Sequence, residues 1–62
     1  MTRHQLWRAR ERARFRHMSE VARLERYGYT EENMLREWTA DADYRGAQAI
    51  ATCNGIPEPF YG

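Results

Sequence analysis

Apolar residues recur at helical-turn spacing from Leu6 to Leu24, and neither Gly nor Pro interrupts the chain before Gly28. Thr2 with Gln5 three residues on fits a capping box, in which hydroxyl and amide satisfy the orphan N–H groups of a helix start. Gly28 tolerates the left-handed conformation of a C-cap, and Arg23 and Arg26 sit in the last turn, where cations complement the dipole. The pattern predicts a first helix over about 3–27.

Thr30 opens a second element, with Glu31 and Glu32 in the first turn, where the positive helix end favours carboxylates. At 100° per residue Leu35, Trp38, Ala42, Ala49 and Cys53 share a face, which predicts one helix over about 31–53. Thr39, Asp41 and Asp43 are also good N-caps, so a break near 39–41 is the rival reading. Asn54-Gly55 ends the helix either way. Beyond it, Pro57 and Pro59 hold Ile56–Gly62 extended.

A turn of about three residues makes the helices antiparallel neighbours, each roughly 35 Å long at 1.5 Å per residue. The expected fold is all-α: a two-helix hairpin over 1–55 and an extended, Pro-containing tail over 56–62. Leu6, Ala9, Ala13, Val21 and Leu24 would form the inner seam against the Leu35-to-Cys53 face. In that register Ala9 and Ala13 oppose the Ala42–Ala49 stretch with Gly46, allowing close backbone approach, while Arg14 and Arg16 fall near Asp43 and Asp41.

This hairpin leaves a second stripe on helix 1 uncovered: Trp7, Phe15, Met18 and Ala22. Its plainer explanation is a single wide core, with Ile56, Phe60 and Tyr61 of the tail folded over the stripe. The functional explanation is a partner interface, formed by self-pairing into a homodimeric four-helix bundle or by docking on a larger protein or multisubunit assembly. Trp38 and the Phe60-Tyr61 pair would add anchors.

Charge then changes the picture. All ten cationic side chains are arginines, and eight lie within residues 1–26 against Glu11, Glu20 and Glu25. The remaining residues hold two arginines against six acids, so the halves carry +5 and −4. On a helix the alternating run Arg8-Ala9-Arg10-Glu11-Arg12-Ala13-Arg14-Phe15-Arg16 divides between two sides. Arg10 and Arg14 turn toward the apolar side, where acids of helix 2 or of a partner would meet them. Arg8, Arg12, Arg23 and Arg26 align opposite the seam with Arg16 just beyond, a guanidinium ridge suited to an acidic protein surface or to phosphates.

Other chemistry finds little footing. His17, Ser19 and Glu20 point about 100° or more apart on a helix, so no base–nucleophile pair follows and no catalytic residue is assigned. Two histidines and one cysteine make no metal-ligand spacing; no metal, cofactor or small-molecule substrate is expected, and His17 reads as a packing residue on the seam. Cys53 alone forms no intramolecular disulfide. No run approaches the roughly 18 apolar residues of a membrane span, and no signal-peptide core is present, so the chain is read as cytoplasmic. Exclusive use of arginine also reflects GC-rich coding and suits a bacterial or bacteriophage product.

Two resemblances bear on this. Ala49–Glu58 resembles the second helix and turn of a helix-turn-helix, as in winged-helix regulators, but only Pro59–Gly62 follow, so the segment reads as a helix stop. The hairpin architecture is similar to the Rop family of plasmid RNA-binding proteins, dimeric four-helix bundles that hold RNA on their first helices. That resemblance implies a role for Phe15 amid Arg8, Arg12, Arg23 and Arg26, although Arg10 and His17 interrupt the heptad core such a bundle needs. The expected function is a small non-enzymatic accessory or regulatory protein that binds a larger protein. A dimeric nucleic-acid-binding module is the alternative.

Overall fold

The computed structural model describes residues 2–57. Two helices, α1 (Arg3–Tyr27) and α2 (Glu31–Cys53), form an antiparallel hairpin about 38 Å long. Both starts are capped as local chemistry dictates. Thr2 Oγ1 accepts from the Gln5 N–H at 3.1 Å, and Gln5 Oε1 accepts from the Thr2 N–H at 2.8 Å. Thr30 Oγ1 accepts from the Asn33 N–H at 3.2 Å. Between the helices Gly28 takes φ 102°, and its N–H donates to the Leu24 carbonyl at 2.9 Å.

The far end of α2 closes with a Schellman turn. Gly55, at φ 71°, donates to the Thr52 carbonyl, and Ile56 donates to the Ala51 carbonyl, each at 3.0 Å. The characteristic apolar contact accompanies it, because Ile56 is buried against Ala51 and Leu6. Ala49–Gly55 is therefore a helix stop that folds the following residues back onto α1.

α2 runs unbroken through residues 39–43. The hydroxyl of Thr39 bonds back to the Leu35 carbonyl at 2.9 Å, and the two aspartates reach other side chains instead of capping a new helix.

The seam of α1 is the expected one, with Leu6 and Leu24 buried and Ala9, Ala13, His17 and Val21 half-buried. The seam of α2 is not. Leu35 is 51 % and Trp38 61 % exposed, and Ala42, Ala49 and Cys53 also face out. Ala40 and Ala51 are fully buried instead, with Met34, Glu37, Asp41, Tyr44, Ala47 and Gln48 half-buried around them. The helix is turned by half a revolution from the face its large apolar residues suggest.

Cross-helix charge pairs accompany the rotation. With Ala40 inward, Arg16 reaches Asp43 at 3.2 Å, Arg36 reaches Glu20 at 3.2 Å, and His17 reaches Glu37 at 2.8 Å. Arg16 thus meets Asp43 rather than Asp41, while Arg14 pairs with Glu11 on its own helix. The expected close approach at Gly46 is absent: a methyl group there would meet nothing within 4 Å, and a groove lined by Leu6, Ala9, Ala47 and Ile50 runs past it.

Among the described residues Arg10 is the fully buried charged one, and its partners are not acids of α2. Its guanidinium donates to the Ile56 carbonyl at 3.1 Å and to the Pro57 carbonyl at 2.7 Å. Among the described residues five apolar ones are buried, two of them alanines. A core this small supplies only ~3–5 kcal/mol, so the clamp carries a large share of the fold.

Candidate functional site

The hairpin distributes the candidate contact residues over separate surfaces. Arg16–Asp43 and Arg36–Glu20 mark one flank of the helix pair. There the Arg36 guanidinium donates to both carboxylate oxygens of Glu20 at 3.2 Å, which holds Glu20 below the usual carboxylate range and raises Arg36. This flank is electrostatically closed.

The opposite flank carries apolar residues beside the Arg14–Glu11 and Arg45–Asp41 pairs. Rotating about 100° per residue from the paired positions brings Met18 and Val21 of α1, and Met34 and Trp38 of α2, to this side. The antiparallel register set by the ion pairs makes Met18 level with Trp38. Met18 is 53 % exposed and Trp38 61 %, while Val21 and Met34 lie half-buried between them. The nearby Arg14 guanidinium lies 4.0 Å from the Met18 sulfur.

The other stripe members go elsewhere. Trp7 is half-buried, packed against the Leu6–Ala51–Ile56 cluster and near the His4 ring at 5.4 Å. Ile56 belongs to the cluster at this end of the stripe. Phe15, 61 % exposed, points outward beneath the Arg14 guanidinium at 5.2 Å, and Ala22 is exposed. Phe60 and Tyr61 lie outside the described residues.

The arginine ridge is now sharply defined. Among the described residues Arg8, Arg12, Arg23 and Arg26 form no ion pair with a carboxylate, whereas Arg14, Arg16, Arg36 and Arg45 each do. Arg23 and Arg26 flank the exposed Tyr27 ring, each 5.6 Å from its centroid. Exposed contacts of that kind add about 0.5–1 kcal/mol and leave the guanidinium edges free for other acceptors.

One cluster was not legible by spacing in the sequence. Beneath the apolar flank the His17 ring of α1 meets Glu37 and Asp41 of α2, its Nε2 lying 2.8 Å from Glu37 Oε1 and 3.5 Å from Asp41 Oδ1. Tyr44 stacks on the ring at 6.1 Å, with an interplanar angle of 7°. The available signal was the i, i+4 pair Glu37/Asp41, one turn apart on a single face. Its meaning appears only once α2 has turned that face toward His17. Among the described residues no helix is long and apolar enough to cross a membrane.

No family model, curated protein or solved structure matches the chain.

Proposed function

We propose that this chain is a non-enzymatic accessory protein that works by docking on a larger protein. The Met18–Val21–Met34–Trp38 flank makes the apolar contact, and the arginine ridge meets acidic groups of the partner. The observation that carries this reading is the rotation of α2. The fold buries alanines and leaves Trp38 and Met18 level and more than half exposed on one flank. Tryptophan is the most frequent interface anchor, and methionine adapts its shape to irregular partners.

The expected result is that Met18→Ser with Trp38→Ser leaves helical content and melting temperature near wild type. It should also weaken binding of the purified co-purifying partner by about 30-fold or more, the equivalent of a ≥ 2 kcal/mol hot spot. Titration of that partner by calorimetry against both forms checks it. Unchanged affinity in the double variant would remove the flank from the interface, and a concentration-dependent dimer that the same variant splits would assign it to self-association.

A second reading rests on a different observation, the four ridge arginines that, among the described residues, form no ion pair with a carboxylate. As a nucleic-acid module the chain would place Arg8, Arg12, Arg23 and Arg26 on phosphates. Four such contacts predict a slope of about −3.6 in log affinity against log salt on duplex nucleic acid. Fluorescence anisotropy with a labelled duplex across a salt series measures it, and absence of binding at 20–50 mM salt, roughly the low end of such series, dismisses it.

A further inference from the structure

We infer that His17, Glu37 and Asp41 form a binding site for a divalent transition-metal ion of the Zn²⁺ type, which would staple α1 to α2 at mid-hairpin. One donor atom from each residue lies within 4.8 Å of the other two. The donors come from both helices: the imidazole from α1, and the two carboxylates one turn apart on α2.

The donor set and its charge favour such an ion. Hydrogen bonding alone leaves the arrangement incomplete, because one Nε2–H serves Glu37 at 2.8 Å and leaves Asp41 Oδ1 at 3.5 Å, too far for a good bond. Arg45 takes the other Asp41 oxygen, Oδ2, at 3.0 Å, which directs Oδ1 toward the ring nitrogen. The two carboxylates outnumber the one guanidinium beside them, a surplus of acceptor oxygens for a cation to take up.

Zinc binds imidazole nitrogen and carboxylate oxygen at about 2.0–2.2 Å, so tetrahedral donors stand about 3.3 Å apart. Two of the present separations, 2.8 and 3.5 Å, bracket that value. The three side chains are 24 %, 18 % and 28 % exposed, so the ion has an entry path and water can complete its shell. An imidazole among the donors selects against Ca²⁺ and Mg²⁺, which take oxygen ligands. Tyr44, stacked on the ring, fixes its orientation.

The test uses the whole chain after chelator treatment, with Zn²⁺ and Co²⁺ as probes. Calorimetry should find one Zn²⁺ per chain, and a hundredfold excess over Kd should raise the melting temperature by roughly 10–20 °C. The Co²⁺ form should show the visible bands of a four-coordinate ion without a thiolate charge-transfer band. His17→Gln and the near-isosteric Asp41→Asn should weaken binding at least about 10-fold. His4→Ala and Cys53→Ser should leave it unchanged. Absence of a melting shift at millimolar Zn²⁺ overturns the site. So does binding that survives His17→Gln or depends on Cys53 or His4, and in either case His17 is a hydrogen-bond partner of Glu37 alone.

Discussion

Arg10→Ala is expected to lower unfolding stability by about 3 kcal/mol, from one buried carbonyl left without its donor at ~1–3 kcal/mol and the lost packing of the arginine stem. Arg10 is fully buried and ties α1 to the carbonyls of Ile56 and Pro57, which hold the Schellman turn over Leu6. Since a core of this size supplies only ~3–5 kcal/mol, the variant should retain only about 0–2 kcal/mol and be partly unfolded at 25 °C. Urea denaturation followed by circular dichroism measures the change. Arg10→Met separates charge from shape: it keeps most of the stem volume and removes the cost of burying a cation, so it should recover at least about 1 kcal/mol. A loss below about 0.5 kcal/mol for Arg10→Ala, the range of ordinary surface changes, would show that the clamp does not hold the fold.

The second large effect concerns the side of α2 that faces in. Ala40→Leu should destabilise by about 1–3 kcal/mol, because Ala40 is fully buried and a larger side chain forces the helices apart. The ion pairs on either side, Arg16–Asp43 and Arg36–Glu20, would be stretched with it. Leu35→Ala and Trp38→Ala, by contrast, should change stability by less than about 0.5 kcal/mol, since both side chains are more than half exposed. The hydrophobic pattern taken alone predicts the reverse, with Leu35→Ala costing about 2–5 kcal/mol as a core truncation. Thermal melts of the three variants decide between the two faces, and a stable Ala40→Leu beside a destabilised Leu35→Ala would refute the observed seam.

These two effects also show where reading the chain stops. The ridge residues Arg8, Arg12, Arg23 and Arg26 were placed by helical periodicity, and they stand outside the contacts between the helices. The partial burial of Trp7 is not legible that way, because the Leu6–Ala51–Ile56 cluster it packs against is completed by a residue that follows a glycine-mediated reversal at the far end of the other helix. The destination of Arg10 was illegible for the same reason. Its acceptors are backbone carbonyls 46 and 47 residues away, and a carbonyl leaves no mark in a sequence.

What the sequence by itself determined is everything set within a few residues: the Thr2–Gln5 box, the Thr30 cap, the glycines at positive φ and hence two helices with their ends and an antiparallel hairpin. Such signals act within one helical turn and do not depend on distant partners. The tertiary structure alone decided which side of α2 turns inward, and with it the His17–Glu37–Asp41 cluster and the exposed Met18–Trp38 flank. Burying Leu35 and Trp38 would gain apolar contact. Burying the alanine face admits the cross-helix pairs of Arg16, His17 and Glu20, and it leaves the apolar face free. That choice balances terms of similar size contributed by residues far apart in the chain, so no local pattern contains it.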